Sequence, residues 1–115
     1  MLQLQDQVAI ITGAGGGIGE RIAVKLAEAG AHIVVNDVVE EAAAAVAEQV
    51  REYGVDAFVD TSDITDAEQV QSMVDEVMER FGRIDILVNN AGITRDGLLV
   101  RMDEDQWDIV LEVNL

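Results

Sequence analysis

Thr12-Gly13-Ala14-Gly15-Gly16-Gly17-Ile18-Gly19 is the stretch on which the reading of this chain turns. The apolar run Val8-Ala9-Ile10-Ile11 precedes it, and Arg21-Ile22-Ala23-Val24-Lys25-Leu26-Ala27 follows. A strand, a glycine turn and a helix N-terminus in that order build an anion site, because unpaired backbone N–H groups and the positive end of the helix dipole converge on one point. A pyrophosphate suits such a site. Gly13 lets the chain turn sharply out of the strand, Gly17 lets backbone approach phosphates with no Cβ between, and Gly19 lets the helix lie close to the sheet. The spacing G-x-x-x-G-x-G also arises by chance, so the rest of the chain has to decide.

Working outward, residues 7–12 are apolar on both faces, as in a strand of a parallel sheet covered by helices. Residues 18–28 have helical periodicity, with Gly30 at the stop. His32-Ile33-Val34-Val35 is a second strand, and 40–53 is an alanine-rich helix with acids on its outer face, closed by Gly54. Residues 56–59 make a short third strand. A helix over 66–81 follows, capped by Thr65 or Asp66, with Val70, Met73, Val74, Val77, Met78 and Phe81 on its buried stripe and Gly82 after it. Ile86-Leu87-Val88 is a fourth strand, 91–102 is loop-rich, and Asp103 caps a helix predicted to run to the end of the chain. Strands alternating with such helices make βαβ units, whose right-handed crossovers predict the strand order 3-2-1-4 in an α/β sheet with helices on both faces.

Composition narrows the partners. With 23 acidic against seven basic residues the net charge is -16, which excludes nucleic acid and anionic membrane as partners, since both need a basic surface. One lysine beside six arginines, under so acidic a total, fits either a protein adapted to high salt, where screening removes self-repulsion, or a merely acidic protein of ordinary habitat. No run approaches the ~20 apolar residues of a membrane span. Residues 1–6 carry neither the basic region nor the apolar core of a signal peptide, so a cytoplasmic protein is expected. Without cysteine there is no disulfide framework or thiolate metal site, and no metal site is predicted.

Three further stretches complete a pattern. Val34-Val35-Asn36-Asp37 ends an apolar run with an acid 18 residues after Gly19, where a dinucleotide fold offers a carboxylate to ribose hydroxyls. Asp63-Ile64-Thr65-Asp66 follows the next apolar run, and Asn89-Asn90-Ala91-Gly92 the one after it. In this order the motifs resemble the short-chain dehydrogenase/reductase family over the whole chain. Residues 90–99 and Glu104-Asp105-Gln106-Trp107-Asp108 look most like its 3-oxoacyl-[acyl-carrier-protein] reductases. The resemblance implies a Rossmann-type sheet, with residues 1–115 forming the dinucleotide-binding half of one domain.

It also implies roles for single residues. Gly13, Gly16, Gly17, Ile18 and Gly19 would hold the pyrophosphate side of the cofactor. Asp37 would take ribose hydroxyls, although an acid at a strand end fits a turn as well. A carboxylate there repels a 2′-phosphate, and neither the glycine turn nor residues 37–41 carry a base to accept one, so NAD is favoured over NADP. This departs from the many 3-oxoacyl reductases that use NADPH. Asp63 in the family bonds the adenine amino group and Ile64 presents backbone to the same ring, while capping of the next helix is an equally ordinary use of Asp63. Asn90, Ala91 and Gly92 would contact the cofactor ribose and brace the first strand, where local turn chemistry is the plain alternative. Asn114 matches the asparagine of the catalytic tetrad, held in a helix. His32, the four methionines and Trp107 read as packing residues.

The family's Tyr-x-x-x-Lys pair and serine do not appear. Tyr53 and Lys25 stand in the wrong order, and the serines are Ser62 and Ser72. The chain therefore resembles the N-terminal half of a family member, with acyl carrier protein as a partner of the longer protein. Three functions are open: the cofactor-binding half of an oxidoreductase inactive alone, a nucleotide-binding module in its own right, or a structural fragment. A fourth strand with no fifth beside it, and a last helix baring Trp107, Val110 and Leu111, predict self-association into a homo-oligomer through that edge or that helix.

Overall fold

A computed structural model describes residues 3–90 and the backbone of 111–114. Its elements in chain order are β1 (Val8–Thr12), α1 (Gly17–Glu28), β2 (His32–Asn36), α2 (Glu40–Arg51), β3 (Ala57–Asp60), α3 (Ala67–Phe81), β4 (Ile86–Asn89) and β5 (Leu111–Asn114). All neighbouring strands are parallel, in the order β3-β2-β1-β4-β5. Ile10 at the centre stands opposite Val34 on one side and Leu87 on the other.

Alternate side chains along each strand go to opposite faces, so one strand feeds two cores. Ala9, Ile11, Ile33 and Val35 pack under α1 and α2, against Ala23, Ala27, Ala43, Val46, Ala47 and Val50. Val8, Ile10 and Val34 pack on the other face against Val70, Met73, Val74 and Val77 of α3. This double coverage is why the strands read as unbroken apolar runs. Two helices share the first face, and the alanines on their inner sides let them lie close to the sheet. Among the described residues α3 alone covers the second face and brings larger side chains, each fully buried valine or methionine contributing about 1.5–3 kcal/mol. Asp66 caps α3, accepting from the N–H groups of Glu68 and Gln69, and Gly82 ends it in the left-handed region at φ 76°.

One expectation is overturned. Leu111–Asn114 is not the end of a helix begun at Asp103 but a fifth strand, parallel to β4, with Ile86 opposite Leu111 and Asn89 opposite Asn114. The helical reading rested on Trp107, Val110 and Leu111 recurring at helical spacing. Leu111-Glu112-Val113 also alternates with period two, and β4 offers it a full row of backbone partners, which a helix there would leave unpaired. Hence β4 is no edge: β5 occupies the side through which pairing of two copies was expected, and Asn114 sits in a strand. The remainder of that helix, with Trp107 and Val110, lies outside the described residues.

Candidate functional site

The carboxyl ends of β1, β2 and β3 open onto one cleft of about 210 Å³, lined by Gly13, Asn36, Asp37, Val38, Ser62, Asp63, Ile64 and Thr65. In open α/β sheets this is the end at which ligands bind. Pockets that enclose a whole drug-sized ligand hold ~300–1,000 Å³, so this one suits part of an extended ligand, such as one nucleoside half.

The first wall is the glycine turn. Gly13 leaves β1 at φ 63° and Gly17 enters α1 at φ 59°, a backbone region that L side chains rarely adopt. A Cβ on Gly19 would stand 2.5 Å from the Gly13 carbonyl oxygen and 2.5 Å from Asn90 Nδ2, so α1 approaches β1 only because Gly19 has none. In front of Gly16 and Gly17 a Cβ would meet nothing within 4 Å. No side chain caps the first turn of α1, whose N–H groups stay available to an anion.

The second wall is the end of β2. The Asn36 carbonyl accepts from Ala14 N–H at 2.9 Å and ties the turn to the sheet. Asp37 Oδ2 accepts from Gly15 N–H at 2.9 Å, while Oδ1 accepts from Val39 N–H at 2.9 Å. Gly15 is required by that contact, since a Cβ there would come within 2.7 Å of the carboxylate and 2.9 Å of the Ala42 methyl. Each oxygen of a carboxylate has two lone pairs, so Asp37 holds the loop and retains acceptor capacity.

The third wall follows β3. Asn36 Nδ2 donates to Asp60 Oδ2 at 2.7 Å and to the Ser62 carbonyl at 3.0 Å, and Asp60 in turn accepts from Ser62 N–H and Oγ–H, both at 3.0 Å. Beyond this network Asp63 is exposed, with Oδ1 taking the N–H and hydroxyl of Thr65 at 2.9 and 2.7 Å. The Thr65 hydroxyl, then its N–H, hold the Asp63 carboxyl below the usual carboxylate range. Ile64 buries its side chain in the α3-side core, so what it offers the cleft is chiefly backbone. Asn90 braces the first wall, donating from N–H to Thr12 Oγ1 at 2.9 Å and from Nδ2 to the Gly13 carbonyl at 3.1 Å.

Gly13, Asp37, Asp63 and Ile64, chosen from sequence, thus line one cleft; Gly16, Gly17, Ile18 and Gly19 lie at the adjoining turn and the start of α1, and Asn90 behind the turn. Ala91 and Gly92 lie outside the described residues. Asn114 ends β5, with its backbone paired opposite Asn89 of β4. Gly15, Asn36, Asp60 and Ser62 were missed. The signal for two of them was present, since Asn36 and Asp60 are polar residues ending otherwise apolar strands. No helix among the described residues is long and apolar enough to cross a membrane.

Comparison with known proteins agrees with this geometry. The chain is 49% identical over 108 residues to a 3-oxoacyl-[acyl-carrier-protein] reductase of Staphylococcus aureus, an alignment covering 93% of this chain and 44% of that protein. Among solved structures, 7α-hydroxysteroid dehydrogenase complexed with NADH and 7-oxoglycochenodeoxycholic acid superposes with a TM-score of 0.75 at 43% identity, over 80% of this chain and 36% of the other. NAD+-bound xylitol dehydrogenase does so with a TM-score of 0.76 at 43% identity, over 79% and 35%. The chain spans less than half the length of these relatives. With the strand order, the glycine turn and a family match running over residues 7–115, this chain belongs to the short-chain dehydrogenase family.

Proposed function

We propose that the chain is the dinucleotide-binding half of a short-chain NAD(P)-dependent oxidoreductase, and that it takes NAD in preference to NADP. The observation that carries this is the Asp37 carboxylate, which faces the cleft while locking the glycine turn through Gly15. The residues fit the cofactor. Bound adenosine would be held by the Asp37 and Asp63 walls, with Asp37 to accept from ribose hydroxyls and Asp63 Oδ2 to accept from the amino group, and the open face of Gly16 and Gly17 would receive the pyrophosphate. Among the described residues no lysine or arginine lines the cleft, so there a 2′-phosphate would face Asp37 without a counter-charge. When bound, the nicotinamide exchanges a hydride with the substrate. Nothing in this sequence has the tyrosine and lysine arrangement that exchanges the accompanying proton in the family.

The substrate class follows from the reductase of Staphylococcus aureus: a 3-oxoacyl group carried as a thioester, reduced by a longer protein whose partner is the acyl carrier. Titration calorimetry on this chain tests the cofactor half of the reading. NAD and ADP-ribose should bind, and NADP at least tenfold more weakly; a preference for NADP sinks the assignment of Asp37. Incubated with an acetoacetyl thioester and NADH, the chain should show no turnover, and turnover would refute its inactivity.

A further inference from the structure

We infer that Asn36 is a positioning residue that fixes the Asp63 wall of the cleft and thereby sets selectivity for adenine. The inference rests on the dinucleotide reading and adds a determinant to it. Asn36 is 2% exposed and Asp60 8%, at the ends of neighbouring strands. A buried amide and carboxylate are costly where a pair of apolar side chains would extend the core, so their presence needs a reason beyond the fold. The reason is what they hold. Both Nδ2 hydrogens of Asn36 are used, one on Asp60 Oδ2 and one on the Ser62 carbonyl, and Asp60 returns two bonds to Ser62. Ser62 is thereby gripped at its N–H, carbonyl and hydroxyl.

On the far side of the loop Gln69 Oε1 accepts from Asp63 N–H at 2.8 Å, and Asp66 caps α3. On the near side, among the described residues, the Asn36–Asp60 pair alone tethers the loop by side chains. The same Asn36 holds the glycine turn through its carbonyl on Ala14 N–H, so one residue spaces the phosphate wall from the adenine wall. A recognition group has to be held within about 0.5 Å to discriminate, and the exposed Asp63 carboxylate is tied to Thr65 of the same loop, so the anchorage of the loop sets where it stands.

Calorimetry with two probes, NAD and nicotinamide hypoxanthine dinucleotide, reads this directly, since the second has an oxygen in place of the adenine amino group. The native chain should prefer NAD by about tenfold, one hydrogen bond to a charged acceptor. In Asn36→Ala the ratio should fall toward one, and in the milder Asp60→Asn it should be intermediate. An unchanged ratio in Asn36→Ala overturns the inference. Amide hydrogen exchange without ligand gives a second readout: in Asp60→Asn, Ser62 should exchange at least tenfold faster than in the native chain, with the β1 amides unaffected. Unaltered exchange at Ser62 overturns it too. If the native chain binds neither dinucleotide the cofactor reading fails, and selectivity with it, while the exchange result still decides the tether.

Discussion

The two ends of this sheet treat acidic residues differently. At the amino ends of the strands, Asp85 accepts Val8 N–H at 2.8 Å and both Nε and Nη2 of Arg83 at 2.8 and 2.7 Å. Asp56 there takes Arg80 at 3.0 Å, with the guanidinium lying over Phe58 and Phe81. His32 joins the same end, its Nδ1 accepting Asp56 N–H at 3.0 Å while its ring stacks on Phe81. At the carboxyl ends, Asp37, Asp60 and Asp63 have, among the described residues, only N–H, amide and hydroxyl donors and no arginine. Acids neutralised by guanidinium are finished pieces of architecture. Acids held by neutral donors keep negative potential and lone pairs for a further donor, which is what ribose and adenine supply. On the proposed dinucleotide reading, the contrast would let a chain of net charge -16 take a dianionic ligand at one end: the phosphates would be left to backbone N–H groups and a helix terminus, and the carboxylates would face hydroxyl and amino groups.

The sharpest way to break the upper end is Gly19→Val. Its Cβ would press on the Gly13 carbonyl and Asn90 together, and backbone cannot swing aside as a long side chain can. A loss of about 3 kcal/mol in urea unfolding is expected, at the upper end of overpacking costs, with NAD binding abolished. Gly16→Ala is the control: its backbone is extended, its Cβ meets nothing, and stability should stay within about 0.5 kcal/mol. Equal losses in both would show that the turn is strained throughout rather than packed at one point.

At the lower end, Asp85→Ala removes the carboxylate that accepts the N–H of Val8 and pairs with Arg83. Because the Arg83 side chain is 40% exposed, water can take over its charge, and the cost should be about 2 kcal/mol, mostly from the buried N–H. NAD affinity, measured by calorimetry well below the melting temperature, should not change. A tenfold loss of affinity would erase the distinction between the two ends.

How much of this was legible beforehand differs along the chain. Strands β1 to β4, the three helices and the order 3-2-1-4 were readable, because double-sided burial writes unbroken apolar runs and the helix stripes repeat at their own period. The glycine turn was readable because the left-handed backbone at Gly13 and Gly17 and the close approach at Gly19 need a particular residue type at a particular spacing. Strand β5 was not: four residues compatible with either period are decided by what lies beside them, and pairing with β4 is a tertiary fact. The Asn36–Asp60–Ser62 network was hidden for the same reason, since hydrogen bonds between residues 24 and 26 positions apart leave no local periodicity.

Asp37→Ala tests the upper end by binding rather than stability. The loop loses two hydrogen bonds from Gly15 and Val39, worth about 1–2 kcal/mol together at a half-buried position. The affinity for NAD should fall at least tenfold, about 1.4 kcal/mol, while NADP loses nothing, so the ratio between them collapses. If NADP weakens in parallel, the carboxylate acts by shaping the loop and not by meeting the ribose.

The smallest effect is expected from Asp56→Asn, and its pH dependence tells most about the lower end. Burial pushes the Asp56 carboxyl up, but the Arg80 hydrogen bonds and charge, Ala57 N–H and the His32 ring outweigh it, so the net direction is down. A carboxyl lowered by folding stabilises the folded state above the unfolded value of ~3.9, and that contribution disappears as pH falls through the folded value. Both partners are more than 40% exposed, so solvent screening keeps the pair under about 1 kcal/mol. Asparagine preserves the acceptor for Ala57 N–H and leaves Arg80 stacked on the phenylalanines, isolating the charge. Urea unfolding should therefore find the native chain slightly more stable at pH 7, with the gap closing below pH ~4 and shrinking in 1 M salt. A gap that persists at pH 2 would mean that Asp56 acts by packing, and the lower end would then owe its stability to shape and not to its guanidinium partners.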